Sequence, residues 1–321
     1  MRCAVPRSSR MINLNRFIVT AILGTLLVLA GIKPGMAQTQ QSVAAQTSGT
    51  PNDSAAIGTS PSQDQTVAEL GKQATNPLSS GWLMQTQQNN NWVGMPLNYG
   101  DRVQSDLLYQ PLVNVKLTED WTLFARPILT FVNSTPYVGA GGHEHRTTAF
   151  GDMVLAFAIA PRPLLGGHLV LAAGPTFIFP TATENLIGQR TWQLGPDVGA
   201  VWLGKHFIAY AFPQQWFKIG GSGPKTNQLS ALLDFTYFFK SGWNIGTEPN
   251  ILVNWQARSG QRATLPIGPQ VGKMCKCGHT PTLLQLQLQY YPIHPTIYGP
   301  KWNIQLQITP TIPALITGKI F

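Results

Sequence analysis

The sequence predicts an all-β protein: a transmembrane, antiparallel, up-and-down β-barrel of about twelve strands, behind a disordered N-terminal leader. Three observations predict it. Apolar and amide-bearing residues alternate almost without error near the C-terminus. The connections between alternating runs are short and long by turns. Only 11% of the 321 residues are charged, against about 25% in soluble domains.

The N-terminus is a separate unit. Arg2, Arg7, Arg10, Arg16 and Lys33 lie in the first 37 residues, which contain no acid, so removing them lowers the net charge from +9 to +4. Arg16 precedes a mainly apolar run from Phe17 to Ile32, and Pro34-Gly35-Met36-Ala37 follows. A basic start, an apolar middle and a small residue before a polar stretch describe a cleavable signal peptide over 1–37. The alternative is an uncleaved anchor, but the run is shorter than the roughly 20 residues that a spanning helix needs. No basic stripe is left for nucleic acid once this segment is set aside. Residues 38–65 are rich in Gln, Ser, Thr and Ala without aromatics, the composition of a disordered leader. Residues 66–77 hold a short helical pattern that Asn76-Pro77 stops. The barrel is expected over 78–321.

Period two sets in near Ser79. In Leu284-Gln285-Leu286-Gln287-Leu288-Gln289-Tyr290 every even position is apolar and every odd one is glutamine. Trp302, Ile304, Leu306 and Ile308 likewise alternate with Asn303, Gln305, Gln307 and Thr309. Successive strand side chains point to opposite faces, so each strand has one greasy face and one amide face. Glutamine suits a wet lumen better than a dry core. The pattern places strands near 80–91, 104–117, 121–133, 148–160, 168–180, 191–203, 206–217, 227–239, 243–256, 263–274, 282–292 and 301–316. Short turns include 117–120, 204–205 and 240–242. Longer loops are 92–103, 134–147, 181–190 and 218–226. Outer-membrane barrels have this asymmetry, with tight periplasmic turns and longer outer loops. A secreted β-sandwich or lipocalin-like barrel is the soluble alternative, but the polar face carries few Lys or Glu.

Tryptophans supply an independent check. Trp192 and Trp202 bracket one strand, and Trp243 and Trp255 another, with matching parity in each pair. At about 3.3 Å per residue and a tilt near 40°, ten residues rise roughly 25 Å, the height between two aromatic girdles.

Several residue blocks resemble a known family. They are Gly151-Asp152, Gly174-Pro175-Thr176 through Pro180-Thr181-Ala182-Thr183, Leu186-Ile187-Gly188 and Gly195-Pro196. Leu70-Gly71-Lys72-Gln73 with Asn76-Pro77, Leu265-Pro266-Ile267-Gly268, Val271-Gly272-Lys273, Tyr290-Tyr291 and Gly299-Pro300-Lys301-Trp302 are also similar. Over roughly 67–316 the chain resembles the bacterial outer-membrane β-barrel "transporter" family, also called the MetA-pathway of phenol degradation family and often mislabelled neuromedin U. The resemblance implies a barrel that passes small, hydrophobic or aromatic molecules. Phe321 fits the aromatic C-terminus that the barrel-insertion machinery takes as its partner, whereas Lys319 and Thr317 occupy positions where apolar residues are usual. Pro310 and Pro313 are expected to form a bulge that resets the parity.

Parity turns Lys116, Arg126, Asp152, Asp197, Asp234 and Glu248 inward together with Gln285 and Gln287, since a charge facing lipid costs about 2–4 kcal/mol at the midplane. Two readings of these charges are open: a constriction that filters by size and sign, or cross-lumen ion pairs that hold the barrel's shape. His143-Glu144-His145 matches no zinc spacing and is expected in a solvated loop. Cys275 and Cys277 are placed in a turn; an exported location permits a disulfide, although so short a ring is strained. No histidine accompanies a nucleophile motif. The expectation is therefore a passive channel with no catalytic, cofactor or metal site, whose partners are the outer-membrane lipid bilayer and a small-molecule solute. A structural or adhesive barrel is the alternative, and an outer-membrane hydrolase the third.

Overall fold

The computed structural model describes residues 66–278 and 280–316, and within them the alternation becomes a closed wall. A nine-residue helix, α1 (Val67–Thr75), comes first. Twelve antiparallel strands follow: β1 (Trp82–Gly94), β2 (Asp101–Lys116), β3 (Trp121–Val138), β4 (Glu144–Phe150 and Met153–Pro161), β5 (Leu169–Phe179) and β6 (Trp192–Leu203). The circuit continues through β7 (Phe207–Gly220), β8 (Asn227–Phe238), β9 (Trp243–Thr247 and Asn250–Asn254), β10 (Ala263–Ile267 and Gln270–Cys277), β11 (Thr280–Ile293) and β12 (Pro300–Ile312). Each strand pairs with its sequence neighbour, and β1 pairs with β12 from Trp82↔Ile312 to Trp92↔Trp302. That last ladder leaves no open edge, so every strand finds its backbone partners within the wall.

The facing follows the period. On β11, Gln285, Gln287 and Gln289 are buried, while Leu284, Leu286, Leu288 and Tyr290 are exposed on the outside. On β12, Asn303, Gln305, Gln307, Thr309 and Thr311 are buried, and the register runs through Pro310↔Thr282 without a shift. The bulge expected at Pro310 is therefore not formed. Proline lacks an N–H but its outward parity is kept, and the inward threonines continue the amide row. Trp192 and Trp202 stand exposed at opposite ends of β6, and Trp243 at the start of β9 with Trp255 just past its end. Exposed Trp121 and Trp302 extend the two levels.

Two further expectations are corrected. The stretch 134–147 is not a long loop: β3 and β4 run on as a hairpin, with Thr135↔Thr147, Pro136↔Arg146, Tyr137↔His145 and Val138↔Glu144 paired. Hence Glu144 and His145 belong to a strand; the Tyr137 and His145 rings stack at 5.5 Å, and Arg102 Nε donates to Glu144 Oε2 at 2.8 Å. Cys275 and Cys277 lie within β10, not in a turn, and both are free thiols. The signal peptide 1–37 with Cys3, the leader 38–65, His279, and Thr317, Lys319 and Phe321 lie outside the described residues.

Candidate functional site

The barrel interior is divided along its axis. At the end where the short turns lie, the inward residues of β1 to β7 are largely apolar: Leu83, Leu112, Phe124, Val170, Val201 and Ile208 belong to one buried cluster, whereas β12 brings Gln307, Thr309 and Thr311 to the same end. The centre of the cluster is filled by Leu78, which is 2% exposed. Local sequence delivers it there. Thr66 and Glu69 form a capping box that starts α1, the Thr66 N–H donating to Glu69 Oε2 at 2.9 Å and the Glu69 N–H to Thr66 Oγ1 at 3.3 Å. Asn76 ends the helix, and its Oδ1 accepts from the Leu78 N–H at 2.9 Å. Leu70 and Ala74 on the helix pack against Met274 of β10 and Leu283 of β11. Lys72 Nζ donates to the Lys205 carbonyl at 3.1 Å, tying α1 to the β6–β7 turn.

Above this floor lies a cavity of about 390 Å³, reaching from Pro77 and Leu78 to Asn91, Tyr298 and Pro300 near the loops. Its two sides differ in chemistry. Amides from β1, β2, β11 and β12 form one side and hold one another: Gln110 Nε2 donates to Gln87 Oε1 at 3.0 Å, and Asn303 Nδ2 to Gln289 Oε1 at 3.1 Å. Ile128, Phe212, Leu232 and Leu252 contribute apolar surface elsewhere in the lining.

Arg126, Asp197 and Glu248 all line this cavity. Arg126 Nη2 donates to Gln110 Oε1 at 2.7 Å. Tyr210 donates its hydroxyl proton to Glu248 Oε1 in a short bond, and Asp234 stands opposite Tyr210 in the β7–β8 ladder. Asp234 Oδ2 accepts from Thr236 Oγ1 at 2.9 Å, whereas its Oδ1 is buried without a partner. Asp197 is placed by the residues that carry the family resemblance. Across β5 and β6, Gly174 faces Asp197, Pro175 faces Pro196 and Thr176 faces Gly195. A Cβ on Gly195 would stand 1.6 Å from the Gln215 carbonyl oxygen, so only glycine lets β6 approach β7 there. Thr176 Oγ1 accepts from Trp216 Nε1 at 3.1 Å, fixing the next ring inward.

The other inward-assigned residues have different settings. Lys116 keeps the expected parity but is exposed at the turn-side end of β2. Asp152 interrupts β4, and its carboxylate accepts from the Ala182 and Gln189 N–H groups at 3.1 and 2.8 Å, so it fastens the 180–191 loop. Gln285 and Gln287 are buried, and neither polar atom of the Gln287 amide has a partner. Among the described residues, the ion pairs lie near the strand ends: Arg102–Glu144 at 2.8 Å, Arg162–Asp120 at 2.6 Å and Lys301–Asp101 at 2.6 Å are examples.

Sequence reasoning missed two groups. Asp106 faces inward, accepting from Asn89 Nδ2 at 2.8 Å and Asn91 Nδ2 at 3.3 Å. Its signal was available: it alternates with Leu107, Tyr109 and Pro111 on β2. Tyr210 offered no such signal, because an aromatic between Ile208 and Phe212 reads as one more apolar residue.

No protein-family model matches this chain, and no curated protein matches it in sequence. Among solved structures, a bacterial polysaccharide outer membrane secretin aligns over 73% of this chain and 99% of its own at 8% identity, with a TM-score of 0.34, too low for a shared fold. The COG4313 outer membrane channel from Pseudomonas putida F1 aligns over 73% of this chain and 96% of its own, with 16% identity and a TM-score of 0.55. This chain shares the barrel fold of that channel.

Proposed function

We propose that the protein is an outer-membrane channel for passive passage of small molecules, including hydrophobic or aromatic ones, exported by a cleavable signal peptide and inserted through Phe321. The observation that carries this reading is the cavity of about 390 Å³ within the barrel, lined by amides and by apolar side chains. A lining of both kinds accommodates a solute with a greasy body and a polar end. The outward leucines and the tryptophans Trp192, Trp202, Trp243 and Trp255 supply a surface suited to hydrocarbon and to its two interfaces. Likeness in fold to an outer membrane channel supports the same location. Arg126, Asp197 and Glu248 are the proposed residues that meet the solute, with Asp234, Gln285 and Gln287 completing the lumen set, while Lys116 at the end of β2 and Asp152 at the 180–191 loop stand at its two margins.

The packed turn-side end favours one second reading, a structural barrel that passes nothing. Planar-bilayer conductance and swelling of liposomes in sugars and in phenol separate the two. The expected result is solute entry that increases when residues 66–78 are deleted. Absence of current and swelling from both forms would establish the structural barrel instead.

A further inference from the structure

Acidic side chains outnumber basic ones in and around the cavity. Asp197 and Glu248 line it, Asp234 stands behind Tyr210 next to Glu248, and Asp106 lies on the same amide-rich side as Asn89 and Asn91. Of these four carboxylates Asp197 and Glu248 line the cavity, and Arg126, which lines it too, is within electrostatic reach of both and hydrogen-bonds to Gln110 Oε1. None of the ion pairs within 4 Å found among the described residues joins Arg126 to any of the four. An excess of one sign inside a low-dielectric tube concentrates the opposite ion.

A second observation points to what is taken up. Asp197 is 4% exposed and Asp234 5%, and in each the Oδ1 atom is buried with no hydrogen-bond partner. A buried carboxylate oxygen is normally satisfied by a donor or a cation, because leaving it bare forfeits its hydration without return. On the β5 side Gly174 brings no side-chain donor to Asp197, and the flanking Pro196 has no N–H; on the β7 side Gln214 stands opposite Asp197 and its amide is within hydrogen-bonding reach of the carboxylate, which leaves Oδ1 bare. The apolar surfaces of Phe212, Leu232 and Leu252 line the same cavity.

We propose that the cavity is a cation site, in which Asp197 and Glu248, with Asp234 behind them, receive a monovalent cationic group, either K⁺ or the ammonium of a small amine whose apolar part rests on Phe212, Leu232 and Leu252. This names the charge class of the solute in the passage reading, but the site itself stands independently of passage. Two measurements on the purified full barrel test it. Calorimetric titration in detergent uses benzylammonium and benzoate, ions of similar size and opposite sign. The ammonium is expected to bind and the carboxylate not, with Asp197→Asn and Glu248→Gln each weakening binding by about tenfold. Reversal potentials across a KCl gradient are expected to show K⁺ preferred over Cl⁻ by about tenfold, falling towards unity in the double variant. Equal treatment of both signs in both measurements overturns the proposal. So does an unchanged preference in variants that retain the wild-type circular dichroism. Binding of benzylammonium without any current supports the site and sinks the passage reading alone.

Discussion

The two halves of the interior share one wall and behave as different materials. Towards the turns, Ala158, Ala160, Val170, Ala172, Val201 and Ile208 are small or branched, and they close on Leu78 as the core of a soluble protein closes. Towards the loops, Gln87, Gln110, Gln289 and Asn303 meet the cavity and spend their hydrogen bonds on one another. Strand count does not set this difference. A twelve-stranded barrel lies between the eight strands that side chains can fill and the sixteen that leave a channel, so the residues decide, level by level, whether it is solid or hollow. The lesson is that an inward position has no fixed chemistry: it is dry where a plug reaches it and wet where none does.

The largest expected effect tests that contrast directly. Leu78→Arg places an unpaired charge in the dry half and should cost roughly 3–5 kcal/mol, whereas Leu252→Arg, at an inward position 44% exposed to the cavity, should change stability by about 0.5 kcal/mol or less. Urea unfolding of the detergent-refolded barrel measures both, and similar losses would break the distinction between the halves. A somewhat smaller effect separates inside from outside. Leu288 is 45% exposed, almost the value of Leu252, yet it faces outward. Leu288→Arg should lower insertion into lipid vesicles by about 2–4 kcal/mol, and equal insertion of the two arginine variants would undo the facing of β11. The smallest effect sharpens the comparison at the plug. Thr66→Ala removes the hydroxyl of the capping box and should loosen α1 by about 1 kcal/mol, seen as faster amide exchange over 67–75 with the strands unchanged.

Much of this was legible in the residues, and unevenly so. The Leu-Gln alternation of β11 announced both a strand and its facing, because a one-residue slip would turn every glutamine outward. The hairpin 134–147 was misread because Gly139-Ala140-Gly141-Gly142 and its polar flanks look like a loop. What extends the strands there is partly distant: Arg102 of β2 grips Glu144, and Arg146 Nε donates to Ser134 Oγ at 2.7 Å. Asp152 shows the same limit. Its parity was readable, but its two hydrogen bonds come from Ala182 and Gln189, some thirty residues on.

Sequence alone determined the architecture: a period of two, repeated over about twelve runs with tight turns between them, admits few arrangements other than a two-faced closed wall. It also determined the facing of regular strands such as β11 and β12, since strand geometry ties facing to parity. Tertiary structure decided what the inside is. The seat of Leu78, the company of Arg126 with Asp197 and Glu248, and the unpartnered oxygens of Asp197 and Asp234 depend on strands far apart in the chain meeting across a lumen. Periodicity acts between neighbours along a strand and carries no information across that gap.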